Sequence, residues 1–209
     1  MPGRTLSDIA RSLIATVDPV AFAAIRERHA NDNAAKYLDL ERYLPVALRR
    51  AQSLKLTDWS AGVRRVLDLG CGAGYFLYVC QRAGHEVLGV DMPTRGPMFT
   101  EITRLLNVPI LVTSIMAFQP LELPARKFDV ITAHMVTFNR HTLPTVWGVP
   151  EWTFFLDDLQ DHLVPGGTIC LELNREPDTN SCYTPALRKL FEGRGAKIDD
   201  HRIELVWRP

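Results

Sequence analysis

Three glycines at alternate positions, Gly70, Gly72 and Gly74, follow Asp68 in the stretch Val66-Leu67-Asp68-Leu69-Gly70-Cys71-Gly72-Ala73-Gly74. A glycine loop lets a ligand approach backbone N–H groups where a Cβ would collide, and it tolerates positive φ. A second carboxylate, Asp91, stands 21 residues after Gly70. An acid at that distance can accept hydrogen bonds from both hydroxyls of a ribose, and it would repel a 2′-phosphate. In the dinucleotide fingerprint the third glycine would fall on Tyr75, so that pattern is broken. The lysine and Ser/Thr of a triphosphate-binding P-loop are missing as well. Asp68 places negative charge near the ligand's tail, which suits an ammonium or sulfonium better than a pyrophosphate. The chemistry implied is recognition of a ribose carrying a compact, cationic tail.

The elements that must hold these residues read as follows. Arg65 to Leu69 is a short apolar run bounded by glycine, which predicts a strand. The helix after it places Phe76, Val79, Cys80 and Ala83 on one stripe and stops at Gly84. His85–Val90, Val108–Thr113, Phe128–Ala133 and Thr168–Leu173 read as further strands, with one or two more between Lys197 and Trp207. Helices are predicted over Pro97–Leu106, Glu151–Leu163 and Tyr183–Gly193, and Pro165-Gly166-Gly167 as a turn. Alternating strands and helices imply an α/β fold with a mostly parallel sheet. Ligands of such sheets bind beyond the strands' carboxyl ends, where Asp68 to Gly74, Asp91, Thr113-Ser114 and His134 all fall.

The first sixty residues read as helical. Asp18-Pro19 is a helix start, and a later helix carries Leu40, Tyr43, Leu44, Ala47, Leu48 and Ala51 on one face, with Pro45 expected to kink or break it. This predicts an N-terminal helical cap over 1–60 and a catalytic domain over 61–209.

Composition narrows the partners. The 24 basic and 24 acidic side chains balance, so the broad basic surface expected of a duplex-binding protein is missing and no nucleic acid is expected. No apolar run approaches the length of a membrane span, and the N-terminus lacks the apolar stretch of a signal peptide. Cys71, Cys80, Cys170 and Cys182 form no CxxC pair, which suits reduced thiols in a cytoplasmic protein without a structural metal.

The glycine stretch resembles the first motif of the class I S-adenosylmethionine-dependent methyltransferases. Val87-Leu88-Gly89-Val90-Asp91 is similar to that family's ribose-binding strand, and Phe128-Asp129-Val130-Ile131-Thr132-Ala133-His134 to its fourth-strand motif. Leu163-Val164-Pro165-Gly166-Gly167-Thr168 is similar to its "LxPGG" turn. The four occur in order over roughly residues 60 to 175. The resemblance implies a Rossmann-like, doubly wound, mostly parallel seven-stranded-type sheet with helices on both faces, its last strand short or missing. It implies S-adenosyl-L-methionine as cofactor. Asp68 and the backbone of Gly70, Cys71, Gly72 and Gly74 would hold the methionine end, Asp91 the ribose, and Met92 the adenine. The family's adenine-reading acid after the third strand has no counterpart, and Ser114 and Ile115 stand there instead. His134 would face the cofactor, and Tyr37 is a candidate contact to its carboxylate. Asp129 is read as structural.

Methyl transfer asks the protein chiefly to position the acceptor, and a hydroxyl acceptor also needs a base. Candidate bases are His134 and His141, with Asn139, Arg140 and Trp147 as acceptor-binding residues in the long segment Met135 to Pro150. The expected acceptor is a small molecule, methylated on O or N. The alternatives are a protein acceptor, a non-catalytic cofactor-binding module, an oxidoreductase and an aminopropyl transferase. The residue at 75 speaks against the oxidoreductase, and the absence of an acidic polyamine signature in Ala133 to Arg140 against the aminopropyl transferase.

Overall fold

The computed structural model describes residues 5–58, 62–136, 146–175 and 180–208. Among them are helices α1 (Leu6–Ile14), α2 (Pro19–Arg28), α3 (Leu40–Ser53), α4 (Tyr75–Arg82), α5 (Pro97–Leu105), α6 (Val149–Asp161) and α7 (Pro185–Gly193). The strands are β1 (Arg65–Leu69), β2 (Glu86–Asp91), β3 (Ile110–Val112), β4 (Phe128–Val136), β5 (Leu163–Leu173), β6 (Lys197–Asp199) and β7 (Arg202–Val206). They form one sheet of order β3-β2-β1-β4-β5-β7-β6. β1 pairs parallel with β4, β4 with β5 and β2 with β3, while β7 runs antiparallel to both β5 and β6. The strand order turns at β1 and β4, the switch point outside which such sheets bind ligands. The last strand, expected to be short or missing, is present as β7, of 5 residues.

The chain packs as two compact units. The first is Met1–Arg64 with Cys71–Val112, and the second is Arg65–Gly70 with Thr113–Pro209. In the first unit α1 and α4 pack on α3, and α2 packs on α5. Carboxylates and hydroxyls start the N-terminal helices: Thr5 accepts from the Asp8 N–H, Asp18 from those of Val20 and Ala21, and Asp39 from that of Arg42. Each satisfies a donor that the first turn leaves orphaned. The helix α3 runs unbroken through Pro45. Burial of Leu44, Ala47, Leu48 and Ala51 on one face outweighs the single hydrogen bond that the proline removes. Beyond α2, His29 Nε2 lies 3.1 Å from Glu101 Oε1 on α5 and His29 Nδ1 2.8 Å from Asp32 Oδ2.

The second unit is built on β1, β4, β5 and β7. The Arg65 N–H donates to Asp129 Oδ2 at 2.7 Å, which ties the start of β1 to β4, so Asp129 has the structural position expected of it. Pro165-Gly166-Gly167 lies inside β5 rather than ahead of it: it bulges on the β4 side, where the pairing shifts between Phe128↔Leu163 and Val130↔Thr168, while Gly166 and Gly167 exchange backbone hydrogen bonds with Trp207. Gly166 has φ +80°, and a Cβ on Gly167 would sit 2.9 Å from the Val164 carbonyl oxygen. The core gathers Trp152, Phe155 and Phe191, with ring centroids 5.4 and 5.8 Å apart in edge-to-face contact.

Candidate cofactor site

In the first unit the glycine loop leads into α4 through a tight turn. The Gly74 N–H donates to the Cys71 carbonyl at 2.9 Å, and Gly72 and Gly74 sit at φ +52° and +72°, a region that side-chain-bearing residues avoid. The Cys71 N–H donates to Val90 O at 3.2 Å, which fastens the loop to β2. Gly89 makes that approach possible: a Cβ there would fall 2.6 Å from Cys71 Sγ. The Cys71 side chain therefore packs onto the strand and leaves the loop backbone for a ligand.

Asp91, at the end of β2, closes the loop. Its Oδ2 accepts from the Gly72 N–H and its Oδ1 from the Met92 N–H, both at 2.9 Å. The residue is buried. Burial pushes its carboxyl above the ordinary aspartate value, against the Met92 donor, the nearby Arg95 guanidinium and the Gly72 donor. A carboxylate offers about four lone-pair sites, so two backbone donors leave acceptor capacity on both oxygens. That is what a vicinal diol needs. Across the loop, the nearest heavy atom to a Cβ on Gly72 would be Phe99 Cε1, 4.0 Å away, so the cradle is open and walled by an aromatic ring. The Tyr37 ring lies 5.4 Å from that of Phe99, and the Tyr75 hydroxyl donates to the Tyr37 carbonyl at 2.6 Å. Burial, then Asp39 and Tyr43, hold the Tyr75 hydroxyl well above the usual tyrosine range, so it stays a donor. Met92 is exposed. These residues fit a nucleoside with a polar tail.

The second unit carries Asp68, Gly70, Ser114, Ile115, His134 and Trp147. Asp68 is buried at the end of β1, where its Oδ1 accepts from Thr132 Oγ1 at 2.7 Å. Gly70 sits at φ +68°, and a Cβ there would meet Val136 Cγ2 at 2.9 Å. His134 faces Glu172, its register partner on β5, with Nδ1 3.4 Å from Oε2 and both side chains buried. Immediately beyond, Met135 forms a bulge at φ +57° and stands exposed. Bulges next to sites re-aim the chain, and positive φ on a non-glycine residue stores strain. Ser114 is exposed and Ile115 half-buried. Trp147 takes a core position, 4% exposed and edge-to-face with Trp152 and Phe155. Asn139, Arg140 and His141 lie outside the described residues.

A family model described as "Methyltransferase domain" matches residues 22–201. The chain belongs to this methyltransferase family. It is a class I S-adenosylmethionine-dependent methyltransferase, and S-adenosylmethionine is its cofactor. Among curated relatives, the tRNA U34 carboxymethyltransferase of Klebsiella pneumoniae subsp. pneumoniae is 31% identical over 134 residues, 60% of this chain and 36% of that protein. The chain thus spans about a third of the length of the curated relatives it matches. Two solved structures share the fold. Streptomyces venezuelae DesVI has a TM-score of 0.52 at 21% identity, covering 72% of this chain and 59% of that one. An O-methyltransferase family protein from Burkholderia thailandensis has a TM-score of 0.51 at 13% identity, covering 86% and 60%.

Three residues beside these candidate groups, two in the first unit and one in the second, went unflagged in the sequence. Phe99 and Arg95 reach the loop only through the turn after β2, and no spacing rule points to them. Glu172 did leave a signal: a lone acid in the apolar run Ile169-Cys170-Leu171-Glu172-Leu173 needs a buried partner. Among the described residues no group of His, Cys, Asp and Glu gathers as metal ligands, and no helix is long and apolar enough to cross a membrane.

Proposed function

We propose that this chain transfers a methyl group from S-adenosylmethionine to the oxygen or nitrogen of a small-molecule acceptor. The observation that carries the cofactor half is Asp91, buried between two backbone donors with acceptor capacity left on both oxygens. Asp91 would take the ribose hydroxyls, the backbone of Gly70 to Gly74 and Asp68 the methionine end, Met92, Ser114 and Ile115 the adenine surroundings, and Tyr37 the carboxylate. The cofactor supplies an already activated methyl group on its sulfonium. The residues of the chain orient the acceptor in line with that methyl and exclude water. A hydroxyl or protonated amine must also lose a proton. His134 is one candidate: Glu172 beside Nδ1 would hold the ring so that Nε2 accepts the proton. His141 is the other, with Asn139 and Arg140 proposed to shape the acceptor pocket.

A tRNA acceptor is the second reading, favoured by the activity printed for the relatives at 31% identity. The balanced charge of 24 basic and 24 acidic side chains supports the small molecule, because tRNA binding rests on Lys/Arg contacts to phosphate.

Calorimetric titration with S-adenosylhomocysteine, with NAD in parallel, tests the cofactor. Binding of the first alone is expected, and Asp91→Ala should weaken it more than about tenfold through loss of charge-assisted bonds. Binding of NAD alone, or unchanged affinity in folded Asp91→Ala, would sink the assignment. Competition by bulk tRNA for the methyl donor's product complex would shift the acceptor to the second reading.

A further inference from the structure

The ribose acid has a charged neighbour that no role above uses. Arg95 sits in the turn after β2 with 5% of its side chain exposed, beside Asp91 at 11%. Its Nη2 donates to Thr103 Oγ1 on α5 at 2.6 Å, and that hydroxyl also lies 2.9 Å from the Phe99 carbonyl. The guanidinium is therefore fixed between the turn and α5. Its Nη1 is 3.8 Å from Asp91 Oδ2, the oxygen that holds the Gly72 N–H. Its Nε and Nη1 are buried, and neither has a hydrogen-bond partner among the described residues.

A buried cation with unmet donors is costly to a fold, and such groups are kept where a ligand meets them. We propose that Arg95 is a second nucleoside-binding residue of this pocket, pairing with Asp91 and presenting its Nε and Nη1 donors to oxygen or nitrogen acceptors of the adenosine. It rests on the reading that Asp91 binds the ribose. The two side chains then form one clamp, an acceptor pair for the hydroxyl hydrogens and a donor pair for the lone pairs.

The clamp has a consequence in pH. Burial raises the Asp91 carboxyl and Arg95 opposes the rise. The other titratable groups on the elements around Asp91 are the Cys71 thiol in the loop, Glu86 at the far end of β2, Tyr75, Tyr78, Cys80 and Arg82 on α4, and Glu101 and Arg104 on α5. Glu101 is committed to Arg28 and His29, and the Cys71 thiol packs against Gly89. Arg95 is the one charged side chain within ion-pair distance of Asp91 among the described residues. Without it, Asp91 takes up a proton at a higher pH and the ribose hydroxyls lose their charged acceptor.

The test is calorimetric titration of the intact chain with S-adenosylhomocysteine at about pH 6 and about pH 8. It compares the wild-type protein, Arg95→Met, Arg95→Lys and Asp91→Asn. The expected result for Arg95→Met is a loss of at least about tenfold at the higher pH and a larger loss at the lower. Arg95→Lys, which keeps the charge but not the fork of donors, should lose affinity without gaining pH dependence. Affinity of Arg95→Met within twofold of wild type at both pH values overturns the proposal. So does a loss of the same factor at both, which would mark a structural role. If wild type fails to bind, or Asp91→Asn binds as wild type does, the ribose assignment falls and Arg95 with it. A failure confined to the Arg95 variants leaves Asp91 in place.

Discussion

Gly89→Ala should damage the cofactor loop from behind, without touching any group proposed to meet the ligand. The added Cβ would fall 2.6 Å from Cys71 Sγ, 2.6 Å from Ile110 Cδ1 and 3.0 Å from Leu77 Cδ1. Carbon contacts settle at about 3.5–4.0 Å, so each neighbour must retreat by up to about 1 Å. Overpacking of this kind costs about 1–3 kcal/mol, and alanine recovers roughly 0.5–1 kcal/mol over glycine within a strand. The net loss is about 1–2 kcal/mol, which for a chain of this size lowers the melting temperature by about 2–8 °C. Ile110 is half-buried on a strand of 3 residues and can yield. Cys71 is held by its backbone bond to Val90, so part of the strain must pass into the loop. S-Adenosylhomocysteine affinity should fall about fivefold, the equivalent of about 1 kcal/mol. Thermal unfolding and calorimetry on the same preparations measure both effects. Adding Cys71→Ala removes one of the clashes and should return about half of the lost affinity, a coupling of about 0.5 kcal/mol or more. An unchanged melting temperature with affinity within twofold of wild type would refute the account, and strictly additive single and double variants would refute the path through Cys71.

Two further outcomes follow from the first unit. Tyr75→Phe removes the donor to the Tyr37 carbonyl and leaves that oxygen unpaired. It should cost about 1–2 kcal/mol, seen as a lower melting temperature, together with weaker S-adenosylhomocysteine binding as Tyr37 loosens against Phe99; unchanged binding would remove Tyr37 from the site. The hydrogen bond to Glu101 in the first place, aided by Asp32 and resisted by burial, raises the His29 imidazole above the ordinary histidine value. A raised folded-state value means that the stabilisation is full at lower pH and is lost as pH rises through that value. The melting temperature of wild type should therefore exceed that of His29→Ala by more at about pH 6 than at about pH 8.5, and an equal difference at both would exclude the charged contact.

What could be read from the sequence was what short spacing dictates. Gly70, Gly72, Gly74 and Asp91 belong to one loop and the next strand in the chain, so the tight turn and the acid after it show in the order of residue types. The β2 and β4 strands, the capping by Asp18 and the structural position of Asp129 were legible for the same reason. No break occurs at Pro45, because α3 buries an apolar face that a propensity argument could not weigh. The Pro165-Gly166-Gly167 segment reads as a turn, and only its pairing with β4 shows it as an insertion inside one strand. Arg95 and Phe99 meet the loop through the fold of the turn that carries them, a distance no period encodes. Trp147, read as a pocket residue for its place in a long loop, is 4% exposed in an aromatic core.

The chain passes between its two compact units three times, at residues 64 to 65, 70 to 71 and 112 to 113. The six residues of the first excursion hold β1, which pairs with β4 along Val66↔Val130 to Asp68↔Thr132. Neither unit can therefore be expressed as a continuous stretch of gene. A fragment ending at Val112 would carry β1 away from β4 and expose its unpaired strand edge, an aggregation template. Complementation by two separately made halves would succeed only if synthesis of the second half supplied β4 while the first was still held in solution. Order of emergence during translation works the same way: β1, although among the first strands made, must wait for more than fifty residues before its β4 partner exists.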